Sequence, residues 1–255
     1  MTKRIFAVLN QKGGVGKTTT SYNLAFAFSS QGRKVLAVDL DPQSHFAISL
    51  GLKDTDLSGM DSIFLDAADT DQYIINQRDG LDILPAGYRL GEIEKLSAKG
   101  KKQALIVRNA LDSIKHRYDT IVIDCPPTSG LLNLNALYAC DEVIIPVSSD
   151  YLALQGLSQL LRTLRNVRKY MDKPMKIWIA LTRFTGRRRL SQEVRDRLLK
   201  YFPHQVLATP IRENAPVAES PSFGMSVIEY SPNSHGAQDY LALADDITQY
   251  RTMKA

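Results

Sequence analysis

At 255 residues, with apolar side chains at 44% and charged ones at 23%, the chain is long enough to bury a sizeable core as one α/β domain spanning 1–255. Its two cysteines, Cys125 and Cys140, have no CxxC spacing, and the histidines at 45, 116, 204 and 235 have no metal-ligand spacing. A disulfide scaffold and a zinc site are thereby excluded, and a reducing cytoplasmic compartment is expected. The net charge of +5 is uneven: residues 1–150 hold 16 Lys/Arg against 18 Asp/Glu, and residues 151–255 hold 16 against 9, a polarity that points to a polyanionic partner.

In chain order, an apolar strand over 4–10 leads through a glycine-rich turn into a helix over 17–31, which Gly32 stops. A strand over 34–39 follows. Residues 52–80 are polar, acidic and aperiodic, and read as short helices and loops over one end of a sheet. Strands are then expected at 81–85, 119–124, 141–147, 175–182 and 205–208. They alternate with helices at 103–117, 130–139, 152–171, 190–201 and 236–251. Near-continuous Val/Ile/Leu runs suit strands buried on both faces, so the alternation predicts a doubly wound, mostly parallel sheet with helices on both sides. No run approaches the ~20 apolar residues of a membrane span, and the N-terminal apolar run is too short for a signal peptide.

The turn carries the chemistry. Lys12-Gly13-Gly14-Val15-Gly16-Lys17-Thr18-Thr19 joins a strand to a helix N-terminus, where backbone N–H groups and the helix dipole favour phosphate. Lys17 is placed to neutralise β/γ-phosphate charge and Thr18 to offer its hydroxyl to Mg²⁺. The usual G-x-x-x-x-G-K-[ST] pattern has glycine where this chain has Gln11, and it lacks a counterpart of Lys12. Asp124 closes the run Ile121-Val122-Ile123 at the C-terminal end of a buried strand, where open α/β sheets bind ligands. This is the Walker B position, which holds Mg²⁺, often through water. Asp39 and Asp41 bracket Leu40 at the end of a second strand. If the chain stays extended there, both carboxylates share a face toward the phosphates.

This loop resembles the deviant Walker A motif of the ParA/MinD family of P-loop ATPases, most closely the short, Soj-like ParA proteins. The segments Val38-Asp39-Leu40-Asp41-Pro42-Gln43, Ile121-Val122-Ile123-Asp124-Cys125-Pro126-Pro127 and Glu219-Ser220-Pro221-Ser222-Phe223-Gly224 match in order and spacing, followed by Tyr230-Ser231-Pro232-Asn233-Ser234-His235-Gly236-Ala237. The resemblance implies ATP and Mg²⁺ as cofactors. It implies that Lys12 reaches across an ATP-bound homodimer to the other copy's phosphates, that Asp41 positions the attacking water, and that Asp39 supports the magnesium–water network. The segments Thr182-Arg183-Phe184 and Pro210-Ile211-Arg212 fall where relatives hold adenine, largely through backbone.

The family's ATP dimers bind DNA without sequence preference, which implies nucleoid association and a ParB-like or other cargo adaptor that stimulates hydrolysis. Candidate DNA contacts are Arg187, Arg188 and Arg189, together with Arg212. Arg162, Arg165, Arg168 and Lys169 add a basic stripe at helical spacing. The pattern departs at Pro216, where Soj-like proteins carry a further arginine. With the first strand starting near residue 4, no N-terminal helix-turn-helix domain is expected. The alternative is a MinD-like membrane switch, but residues 248–255 lack the bulky apolar face and basic rim of a lipid anchor. An iron–sulfur relative would need other cysteines, and a biotin-pathway ligase finds no support in residues 219–237.

Overall fold

The structure is a computed structural model that describes residues 3–52, 57–95, 101–150, 153–169, 171 and 174–254. Its sheet has seven strands: β1 (Arg4–Val8), β2 (Val35–Asp39), β3 (Ile75–Arg78), β4 (Leu81–Leu84), β5 (Thr120–Asp124), β6 (Glu142–Ser148) and β7 (Lys176–Thr182). They lie in the order β3-β4-β2-β5-β1-β6-β7, parallel throughout except for β3, which pairs antiparallel with β4. The doubly wound, mostly parallel sheet expected from the sequence is therefore present.

Side chains alternate across each strand, so β1 sends Phe6 and Val8 to one layer and Ala7 and Leu9 to the other. The first layer is closed by α1 (Lys17–Ser30), α2 (His45–Ser49), α11 (Val227–Tyr230) and α12 (His235–Gln249). The second is closed by α3 (Met60–Leu65), α4 (Leu90–Glu94), α6 (Ile106–Ile114), α7 (Leu131–Ala139), α8 (Ala153–Arg168) and α9 (Arg189–Tyr201). The short α5 (Lys101–Ala104) and α10 (Ala215–Glu219) complete the set. The apolar residues of α12, Tyr240, Leu243, Ala244 and Ile247, are buried in the first layer rather than turned outward. Among the described residues, no helix is long and apolar enough to cross a membrane.

Three expectations are corrected. Residues 205–208 form no strand of the sheet; Val206 makes an isolated parallel bridge to Ile179, and Leu207 an antiparallel one to Thr252. The polar 52–80 region contains β3, a half-buried edge strand whose sequence, INQR, carries little hydrophobic pattern. The helix expected at 103–117 divides into α5 and α6 around Leu105, and ends in a 3-10 turn over Lys115–Arg117.

The order of strands positions the site. β1 lies between β5 and β6, and the chain returns from α1 to β2 on the far side of β5. The C-terminal ends of β1, β2 and β5 therefore converge, which brings the phosphate loop together with Asp39 and Asp124.

Candidate functional site: a phosphate loop over buried carboxylates

Asn10, which is buried, anchors the loop as it leaves β1. Its Nδ2 donates to the Pro146 carbonyl (2.8 Å), and its Oδ1 accepts from the Lys12 backbone N–H (3.0 Å). Gly14 and Gly16 take φ of +72° and +86°, a left-handed backbone that side chains disfavour, and this permits the tight turn. Val15 is fully buried, and its carbonyl accepts from Thr182 Oγ1 (2.9 Å), which ties the loop to the end of β7. Helix α1 then begins at Lys17.

Lys17 is buried, with Nζ 3.4 Å from the Lys12 carbonyl. Burial lowers its pKa, while Asp124 and Asp41 act to raise it. Asp124 has no exposed surface; its Oδ2 accepts from Thr18 Oγ1 (2.8 Å) and its Oδ1 from Ser21 Oγ (2.7 Å). Burial pushes its pKa up to about 7, against the pull of these two hydroxyls. Asp39 is the cross-strand neighbour of Asp124 and equally buried. Its Oδ1 accepts from the Asp41 backbone N–H (2.9 Å), while its Oδ2 is buried without a partner among the described residues. Burial and the Asp124 charge hold it well above the usual carboxylate range. A buried carboxylate oxygen without a donor is costly. With Thr18 and Asp124 beside it, an all-oxygen donor set fits a hard cation such as Mg²⁺.

Above these groups lies a cavity of about 520 Å³. Gly13, Gly14, Gly16, Lys17, Thr18 and Thr19 form its phosphate end, and Asp41 and Gln43 flank it. Thr182, Arg183, Asn214, Val217 and Tyr240 also line it. Asp41 thus faces the cavity, whereas Asp39 lies beneath it, so the two carboxylates do not share an exposure. Pro210 does not line the cavity, but Ile211 and Arg212 do. A second cavity, of about 300 Å³, opens at the N-terminal ends of the strands beside Lys3, Tyr118 and Cys140, away from the loop.

Two loop residues stand outside the cavity: Val15, which is buried, and Lys12, whose ammonium pairs with Asp150, just past the end of β6. Asp150 is a site residue that the sequence reading missed. Its available signal was position, since it follows β6 much as Asp41 follows β2. Ser21 was also missed, although it stands three residues after Thr18, on the same helical face.

The candidate basic residues fall into two groups. Arg187, Arg188 and Arg189 are exposed at the turn that opens α9, and Arg189 is bonded to Glu193, one helical turn on. On α8, Arg162, Arg165 and Arg168 are exposed while Leu157, Leu160, Leu161 and Leu164 are buried. Arg212 differs: its guanidinium chelates Asp239 (2.6 and 3.0 Å), so its charge is largely matched within the protein.

A glycine-rich loop at a helix N-terminus, closed by a lysine and a threonine over a strand-end aspartate, defines a P-loop nucleotide-binding protein. Comparison with known proteins is consistent with this. A family model described as an AAA domain matches residues 3–177. The chain is 42% identical to sporulation initiation inhibitor protein Soj of Bacillus subtilis (strain 168) over 249 residues, 96% of this chain and 98% of that one. It is 37% identical to chromosome partitioning protein ParA of Myxococcus xanthus (strain DK1622), over 99% and 90% of the two chains. Among solved structures, cobyrinic acid a,c-diamide synthase from Mycobacterium smegmatis with bound ATP analog and magnesium superposes with a TM-score of 0.85 at 30% identity, covering 99% of this chain and 100% of that one. The chain belongs to the ParA/Soj family of P-loop ATPases.

Proposed function

We propose that this ATPase is a partition or positioning switch: two ATP-loaded copies dimerise, bind DNA without sequence preference, and separate when a ParB-like or other adaptor stimulates hydrolysis. The observation that carries this reading is the direction of Lys12. A lysine next to the phosphate loop whose ammonium is held at Asp150, outside its own cavity, is placed to exchange that partner for the phosphates of a facing copy.

Within each site, Lys17 and the loop N–H groups bind the β- and γ-phosphates, and the 182–184 and 211–217 segments take the base. Thr18 and Asp124 would hold Mg²⁺, with the buried Asp39 carboxylate beside them. Held there, the ion would supply positive charge near the phosphates as negative charge develops on them. Asp41 orients a water whose oxygen attacks the γ-phosphorus as the bond to the β–γ bridging oxygen breaks, giving ADP and inorganic phosphate. Placement and charge neutralisation supply most of the acceleration in such reactions. The exposed Arg187–Arg189 cluster, aided by Arg162 and Arg165 on α8, supplies the DNA-facing charge. Arg212 contributes less, because Asp239 already matches it.

The test is DNA association of the purified protein with ATP, with ADP and without nucleotide, at two salt concentrations, beside Lys12→Gln. Binding that requires ATP, weakens with salt and is lost in the variant, while the variant still binds nucleotide, is the expected outcome. Intact ATP hydrolysis with no DNA association under any nucleotide overturns the DNA part of the reading.

A further inference from the structure

Both oxygens of Asp124 are held from a single face of α1, by hydroxyls three residues apart. Thr18 donates to Oδ2 at 2.8 Å and Ser21 to Oδ1 at 2.7 Å. The two hydroxyls stand in different places. Thr18 lines the nucleotide cavity and is partly exposed to it. Ser21 has no exposed surface and does not line the cavity, so no ligand can reach it. Its oxygen lies 3.0 Å from the Lys17 carbonyl as well as 2.7 Å from Asp124, so its one proton has two acceptors in range.

We propose that Ser21 is a positioning residue for the magnesium site, holding the Asp124 carboxylate in place when Thr18 leaves it. The inference rests on the reading of Thr18 and Asp124 as the groups that hold Mg²⁺. A threonine hydroxyl that turns to a cation cannot keep donating to Asp124. Without Ser21, the carboxylate would then be buried with no side-chain donor among the described residues, free to rotate away from the ion's water shell. With Ser21, one oxygen stays fixed by a short bond and the other is presented to the water. Outer partners of this kind commonly change metal affinity by ~10–100-fold when removed. The same bond also ties Asp124, on β5, to the first turns of the helix that carries Lys17, so the cation site and the phosphate site move as one body.

The experiment is equilibrium binding of a fluorescent N-methylanthraniloyl ATP, which requires no turnover, by the wild-type chain and by Ser21→Ala. Affinity is measured in EDTA and across a Mg²⁺ titration, with thermal melting as a folding control. In EDTA the variant is expected to match wild type within about twofold, because the phosphate loop is untouched. Its Mg²⁺ concentration for half-maximal effect should rise by ~10-fold. Ser21→Cys, which keeps the size and offers a weak donor, should shift the same way, and it carries the test if the alanine variant melts early. An unchanged Mg²⁺ midpoint in both variants overturns the proposal, as does an equal loss of affinity with and without Mg²⁺, which would mean a general packing role. Wild-type binding that does not respond to Mg²⁺ would overturn the magnesium reading itself, a result distinguishable from failure of Ser21 alone.

Discussion

Arg4 opens the first strand as what looks like a solvent-facing cation, yet it is buried. Its Nε and one terminal nitrogen donate to Glu142 at 2.6 and 2.7 Å, the other to the Ile247 carbonyl at 3.0 Å, and Trp178 Nε1 also donates to Glu142. Removing one member of such a pair leaves a buried charge without its counter-ion, at a cost of ~3–5 kcal/mol. Glu142→Leu should lower the unfolding free energy measured by urea titration by that amount, and the double variant Arg4→Met, Glu142→Leu should recover most of it. Cys125 and Cys140 give a contrasting expectation. Both are fully or nearly buried, and burial raises both thiol pKa values, so little thiolate exists near neutral pH. In the native protein a thiol reagent should react with neither, and with both after denaturation in guanidinium. At this scale the sequence discloses what is local. Lys17, Thr18 and Asp124 were legible because one short motif or one strand end fixes each. The burial of Asp39 under Asp41, and the pairing of Lys12 with Asp150, depend on which strands are neighbours and on how the chain turns after β6. Spacing carries neither fact.

Elements differ in how openly they are written. The central strands and α1 are apolar on both sides or bounded by glycine, and their limits fall within two residues of expectation at most ends. The edge strand β3 has one partner and needs little hydrophobic pattern, so its sequence resembles a loop. Residues 205–208 carry a strand-like sequence, but beside β7 they make only one bridge, and the chain leaves the sheet there. The short α11 declares itself by its cap rather than by periodicity. In α11, Ser226 accepts from the Glu229 N–H while the Glu229 carboxylate accepts from the Ser226 N–H, a closed capping box on a four-residue helix. Ser226→Ala should cost ~1 kcal/mol in thermal or urea unfolding, because the part-buried Glu229 N–H loses its acceptor. The adjacent Val227 N–H donates to the buried Asn23 of α1. A looser α11 should therefore also weaken nucleotide binding, and an unchanged affinity would show that the cap serves stability alone.

Across the whole molecule, charge and shape divide the labour. The first 150 residues supply the phosphate loop and the acidic site, and the remainder holds the excess of positive charge. If Arg187–Arg189 meet phosphates, each lost contact should reduce the slope of log affinity against log salt by ~0.9. Replacing all three by alanine should flatten that slope by about 2–3 while ATP-dependent dimerisation persists. An unaltered slope would move the DNA-facing charge to α8. The wall of the nucleotide cavity has a different consequence. Its phosphate end is complete by Thr19, but Asn214, Val217 and Tyr240 also line the cavity, and α12 covers α1 in the first core layer. During translation, a nascent chain exposes its loop long before it has a base pocket or a roof over α1. Such a chain lacks Asn214, Val217 and Tyr240, so its nucleotide cavity is complete only once α12 has been made.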